Sequence, residues 1–312
     1  WKPWQLFDGT PVEVPRAFDP RSEESGDLVI LRDHEPIARM PHDGFYFDRL
    51  EVYPGGAHLP VDDVNPPLLS DAVSEHYRQQ SRALRENTDF AVVAPLGPPY
   101  ELFYGLGTGG FDTWMMALAA EPDYVHAMCD KLVDLWIENL RRFVDAVGDR
   151  VDIVQINDDF GTQHAPFLSV KMFREQIMPH YKRGLDWIHQ HTRMKVFLHS
   201  DGAIAPLIPS IIEMGVDILN PVQTSAQGMD ADRLKEEFGK GLTFWGGSLD
   251  CQQTLPFGTP QEVAREVEQH IHQLAPGGGY VFASVHNIQA GVPAENVVAM
   301  FDTALQWRPA GA

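Results

Sequence analysis

Lys195-Val196-Phe197-Leu198-His199-Ser200-Asp201-Gly202 is the stretch that decides the architecture. A short apolar strand runs directly into a histidine, a serine, an aspartate and a glycine, and a helical pattern over 203–214 follows. The same unit recurs in both directions. Upstream, Val151-Asp152-Ile153-Val154-Gln155-Ile156 ends in Asn157-Asp158-Asp159, and a helix beginning near Ser169 carries Phe173, Ile177, Tyr181, Leu185 and Ile188 on one face. Downstream, Val216-Asp217-Ile218-Leu219 leads to Asn220 and Gln223. After it, Leu242-Thr243-Phe244-Trp245 leads to Gly246-Gly247-Ser248-Leu249-Asp250, and Tyr280-Val281-Phe282-Ala283 to His286-Asn287.

Further elements fill the pattern. Phe90-Ala91-Val92-Val93-Ala94 reads as a buried strand and 122–147 as a helix with Val125, Met128, Leu132, Leu135 and Phe143 on its buried side. Thr259, Pro260 and Glu262 form a capping box at the start of another helix, and 293–306 reads as the last. Short apolar strands alternating with amphipathic helices mean an α/β protein with a parallel sheet covered by helices. A doubly wound sheet and a (β/α)8 TIM-type barrel both satisfy that pattern. The polar groups after five successive strands favour the barrel, which opens all such loops on one face.

A length of 312 residues suits one large barrel, so residues 1–312 are read as a single domain. Within it, residues 1–85 stand apart. Pro11, Pro15, Pro20, Pro36, Pro41, Pro54, Pro60, Pro66 and Pro67 forbid long helices there, and the expectation is loops and short hairpins packed on the barrel. A net charge of −20 argues against nucleic acid and anionic membrane as partners, and leaves few cations to grip a polyanionic substrate. Cys129 and Cys251 form no CxxC pair. With no secretory signal in view and no apolar run long enough to span a bilayer, the expected location is the cytoplasm.

Among the strand-end groups, His199, Asp201 and His286 have the chemistry of a catalytic metal site. Two imidazoles and a carboxylate suit Zn²⁺ or a related divalent ion and leave positions open for substrate. The plain alternative is that His199 satisfies backbone carbonyls while Asp201 caps the helix that follows. Asp158 and Asp159 are candidates for a general base, a further ligand or a substrate clamp, or else are solvated loop residues. Asp250 is a site residue or a loop organiser, and Cys251 a soft ligand or an inert thiol. Gly105, Gly107 and Gly110 match GxGxxG, but no βαβ unit is centred on them, so a dinucleotide site is set aside. His180, His189, His191, His270 and His272 fall on helices and are expected at the surface.

The loops resemble those of the uroporphyrinogen decarboxylase-like superfamily over about residues 85–310. The run Gln155-Ile156-Asn157-Asp158-Asp159-Phe160-Gly161 is similar to its Phe-Asp-Ser-Trp-Ala-Gly segment, and Gly246-Gly247-Ser248-Leu249-Asp250 to its Gly-Asn-Leu-Asp-Pro. His286-Asn287-Ile288-Gln289-Ala290-Gly291-Val292-Pro293-Ala294-Glu295-Asn296 is similar to its Gly-His-Gly-Ile-Leu-Pro-Gly-Thr-Pro-x-Glu-Asn. The resemblance implies the TIM-type barrel and one of two activities: cofactor-free decarboxylation, or zinc-dependent methyl transfer involving a corrinoid (cobalamin) carried by a partner protein. The methyltransferases place His-x-Cys-Gly and a later Cys where this chain has His199, Asp201 and His286, which gives a harder, more Lewis-acidic donor set. The Arg-Gln-Ala-Gly-Arg motif that grips propionates in the decarboxylases does not occur in these residues. The resemblance also implies substrate-side residues at Gln163 and His164, and a homodimer with facing rims. Asn220, Gln223 and Asn287 are further candidates for substrate contact. The expected activity is metal-dependent methyl transfer or demethylation of a small methylated substrate. The rivals are a metal-assisted decarboxylase, lyase or hydrolase of a small aromatic or hydroxy acid, and a ligand-binding protein on the same barrel.

Overall fold

The computed structural model describes residues 1–32, 34–44, 47, 49–50, 58–103 and 111–308. Two compact units emerge, Trp1–His58 with Gly107–Trp114, and Leu59–Leu106 with Met115–Ala312. The first holds an antiparallel hairpin, Lys2–Gln5 against Pro11–Val14, and a four-stranded antiparallel sheet of Arg21–Ser22, Leu28–Arg32, Glu35–Met40 and Arg49–Leu50. Val29, Ala38 and Met40 are buried apolar residues of that sheet. These are the short hairpins that the proline spacing allows. The same spacing misses the helix Asp71–Asn87, which starts only after Pro66 and Pro67 have passed and which Ser70 caps by accepting from the Val73 amide. Residues 59–87 belong with the second unit, not with the N-terminal part. The glycines of the GxGxxG match lie outside the described residues.

The second unit is built on six parallel strands: β1 (Val93–Pro95), β2 (Ile153–Asn157), β3 (Lys195–His199), β4 (Ile218–Asn220), β5 (Thr243–Trp245) and β6 (Tyr280–Val281). Their order across the sheet is β6-β5-β4-β3-β2-β1. Each new strand joins the same edge, whereas a doubly wound sheet reverses direction at a switch point. The winding is that of a (β/α)8 TIM-type barrel, and the choice left open by the sequence is decided by strand order. The first strand lies three residues later than its apolar run suggests. Phe90 is 78% exposed, and the Val92 amide is taken by the Asp152 carboxylate at 2.7 Å before the sheet begins.

Alternation along these strands separates folding from chemistry. Val154, Ile156, Val196, Leu198, Leu219 and Phe244 point one way and are fully buried. The other face carries Ile153, Phe197 and Ile218, packed with Val93 and Trp245, and the Phe197 and Trp245 rings meet edge to face at 5.3 Å. At the C-terminal ends of three adjacent strands, Asn157, His199 and Asn220 stand in register. A polar rim therefore sits directly above an apolar floor.

Outside the sheet, Pro122–Val147 is a 26-residue helix with the boundaries its periodicity predicts, and the Thr259–Glu262 capping box is present in full. The helix Met178–His191 packs so closely on it that a methyl group at Gly184 would lie 2.0 Å from the Trp136 ring. His180 on that helix is 5% exposed, not at the surface as its helical setting suggests. Its two nitrogens are taken by His126 at 2.8 Å and Asp130 at 3.1 Å, which satisfies a polar ring in an apolar seam. Among the described residues no helix is long and apolar enough to cross a membrane, and both cysteines are free. Gly184→Ala is expected to lower unfolding stability by about 1–3 kcal/mol through overpacking, read as a lower urea midpoint with an unchanged slope.

Candidate active site

The loops after the strands are pinned before any side chain does chemistry. Gly202, at φ +91°, lies so close to Gly161 that a Cβ would meet its carbonyl oxygen at 2.4 Å, and a Cβ on Gly161 would meet the Ala203 nitrogen at 2.8 Å. Only glycine allows the two backbones to touch there. The three consecutive amides that follow are all bound. Asp201 N–H donates to Asp159 at 2.8 Å, Gly202 N–H to the Gln223 side chain at 2.9 Å, and Ala203 N–H to the Thr162 carbonyl at 2.8 Å. The position of Asp201 is thus set by its backbone, and its carboxylate remains available. It caps no helix, since the next one begins as a 3-10 turn at Ala205 with no side-chain cap.

His199, Asp201 and His286 converge. Each offers one ligand atom, and these atoms lie within 4.8 Å of one another. Asp201 Oδ2 is 3.4 Å from His199 Nε2 and 3.7 Å from His286 Nε2. Two ligands about 2.0–2.1 Å from a tetrahedral ion stand about 3.3–3.4 Å apart, so the spacing fits a divalent cation. The tautomer fits as well. The Asn220 side-chain N–H donates to the Trp245 carbonyl at 2.8 Å, which turns its Oδ1 toward His199 Nδ1 at 2.6 Å. The proton then sits on Nδ1 and the Nε2 lone pair faces Asp201. Burial is the largest influence on His199 and pulls its pKa down. Hydrogen bonds that the doubly protonated ring makes to Asp201 and Asn220, with the charges of Asp201 and Asp159, outweigh it and leave the pKa raised.

The triad borders two cavities. The larger, about 580 Å³, is lined by Glu101, Gln155, Asn157, Asp158, Asp159, Phe197, His199, Asn220, Trp245, His286 and Asn287 among others, and no lysine or arginine is among the described lining residues. The smaller, about 280 Å³, reaches Asp201 and His286 from the side of Gln223, Cys251 and Leu255.

Other site candidates take varied places. Asp158 is 1% exposed and accepts from the Phe103 amide and the Tyr181 hydroxyl, both at 2.8 Å. Burial, and Asp158 after it, hold the Tyr181 phenol well above its ordinary pKa. Asp159 ties down the Asp201 loop. Gln163 donates to the Ser225 carbonyl at 2.7 Å and accepts from Gln223 at 2.9 Å, behind the triad and outside the larger cavity. His164 is exposed and also outside it. Asp250 binds the amides of Gln252 and Gln253 at 2.7 and 3.1 Å and organises its own turn. Burial, then the charge of Asp250, push the Cys251 thiol up in pKa and keep it protonated. Asn287 lines both cavities. Glu101 escapes the sequence reading, although it is the acid in the loop after β1 and the same strand-end rule reaches it.

Comparison with known proteins bears on the family and the fold. The family model for uroporphyrinogen decarboxylase (URO-D) matches residues 61–307, and the chain belongs to that family. Uroporphyrinogen decarboxylase 2 of Arabidopsis thaliana is 24% identical over 319 residues, covering 94% of this chain and 77% of its own length. Uroporphyrinogen decarboxylase of Microcystis aeruginosa is 22% identical over 94% of this chain and 80% of its own length. A methyltransferase from Methanosarcina mazei has a similar fold, with a TM-score of 0.56 and 18% sequence identity over 73% of this chain. The aligned part spans 62% of that structure.

Elemental analysis is expected to find about one divalent cation per chain in the parent protein and almost none in His199→Ala or His286→Ala. Asn220→Ala is expected to retain the ligands but bind the cation about 10–100-fold more weakly. Equal metal content in all four proteins would remove the metal site.

Proposed function

We propose that the chain is a metal-dependent methyltransferase or demethylase acting on a small methylated substrate, with a corrinoid protein as methyl acceptor or donor. The observation that carries this reading is the convergence of His199, Asp201 and His286 at the edge of a polar cavity. A divalent cation held by these residues would supply Lewis acidity toward a substrate oxygen. The residues themselves do the rest. Asn220 fixes the His199 tautomer, Asp159 holds the Asp201 loop, and the Phe197–Trp245 floor packs the apolar part of the substrate and excludes water from beneath it.

The cavity also speaks to substrate class. Its described lining carries Glu101, Asp158 and Asp159 and no lysine or arginine, which suits a neutral ligand and disfavours a polycarboxylate. The second reading, metal-assisted decarboxylation, draws on the names of the curated relatives, which are decarboxylases. A loaded carboxylic acid would need a counter-charge, and among the described lining residues the imidazoles of His199 and His286 and the proposed cation are the available sources.

Incubating the metal-loaded protein with a panel of methyl ethers and with aromatic and hydroxy acids separates the two. The expected result is methylation of cob(I)alamin, read by its visible spectrum, with no CO₂ released and with activity lost in His199→Ala. Release of CO₂ without corrinoid methylation would replace methyl transfer by decarboxylation.

A further inference from the structure

An acid on the wall of the larger cavity has no part in the metal triad. Glu101 follows Pro98-Pro99 in the loop after β1 and faces the same space as His199, His286, Asp158 and Asp159. Tyr100 and Glu101 stand at φ +66° and +56°, a left-handed conformation that two successive residues with side chains rarely share. Such backbone persists only where its surroundings over-determine it, and here they do. Before the turn, the Trp136 indole N–H donates to the Leu96 carbonyl at 2.8 Å. After it, the Leu102 amide donates to the Tyr181 hydroxyl at 3.2 Å and the Phe103 amide to Asp158 at 2.8 Å, with both side chains fully buried. Asp158 and Tyr181 thus hold the segment that aims Glu101.

The setting of the carboxyl is unlike that of its neighbours. Asp159 is engaged with the Asp201 amide and Asp158 with the loop, whereas among the described residues no group hydrogen-bonds the Glu101 carboxyl. Burial, and then the charge of Asp159, push Glu101 up to about 7, against a smaller opposing effect of His199. A carboxylic acid poised at this value holds its proton for a large fraction of the time at neutrality, as a general acid requires.

We infer that Glu101 is the proton donor to the leaving atom of the substrate, and that the substrate is a neutral methyl ether released as the free alcohol or phenol. The inference rests on the methyl-transfer reading. The electron pair of a reduced corrinoid forms the new bond to the methyl carbon. The carbon–oxygen bond breaks with its pair going to oxygen, and that oxygen takes the Glu101 proton. Glu101 is left as a carboxylate, which solvent reprotonates before the next turnover. A cation at the triad would bear part of the charge that develops on oxygen, and a proton from Glu101 lets the product leave this acidic cavity as a neutral alcohol or phenol.

Two measurements on the metal-loaded full chain test this. In the first, Glu101→Gln is assayed with methyl ethers of graded leaving-group acidity. A kcat loss of about 10²–10⁴-fold is expected for an alkyl methyl ether, and recovery to within about tenfold for a strongly acidic phenol that needs no proton. Wild-type activity is expected to fall as pH rises through the ionisation of Glu101, and that limb is expected to be absent in the variant. Asp159→Asn, which removes the charge facing Glu101, is expected to move the limb to lower pH. A loss equal for all leaving groups, or no loss, overturns the inference. In the second, infrared difference spectroscopy follows the protonated carboxyl band that Glu101→Gln removes. The band is expected to vanish over the same pH range as the activity limb, and a Glu101 ionised at every pH overturns the inference even if no ether is demethylated. Failure of every ether in a wild type that shows the band would sink the substrate class instead, and with it the inference.

Discussion

Two chain segments can touch backbone to backbone only where neither carries a side chain, and the site depends on one such contact, between Gly161 and Gly202. It lets the loop after β2 lie against the loop after β3, and from that contact the rest follows. The amides of residues 201–203 find their acceptors in Asp159, Gln223 and Thr162, so no water is needed to satisfy them. The Asp201 carboxylate is then left over, within reach of two imidazoles. Hydrogen bonds made by the main chain hold this geometry, and the ligand side chains do not have to pull the loops into place.

The same separation of duties runs through the barrel. Residues facing the helices are apolar and carry the packing, while those at the strand ends carry ionisable groups. Several of these acids also hold other loops in place. Asp158 braces the turn after β1, Asp159 the turn after β3, and Asp250 its own loop. An acidic cavity mouth is therefore held in large part by its own carboxylates, while the Glu101 carboxyl accepts no hydrogen bond from the described residues.

Much of this was legible in the sequence, for physical reasons that differ by element. The helix at 122–147 and the capping box at Thr259 follow from local periodicity and local hydrogen bonding, which tertiary contacts did not override. The triad was legible because barrels gather strand-end residues at one rim. Asp71–Asn87 was missed because proline density was averaged over a window that the helix begins just beyond. Phe90 was misplaced because an apolar run marks a strand only to within a few residues. His180 was misjudged because helical position says nothing about a partner on another helix, here His126 and Asp130. The bracing role of Asp158 depends on Tyr181 and Phe103, residues far from it along the chain, and no spacing rule reaches them.

The anchoring of residue 201 through its main chain has an evolutionary consequence. Because main-chain amides hold the loop, a change of the side chain at residue 201 leaves the backbone path in place, and the donor offered to the proposed cation is open to exchange. Such a site could change its chemistry by single-residue steps on an unchanged scaffold.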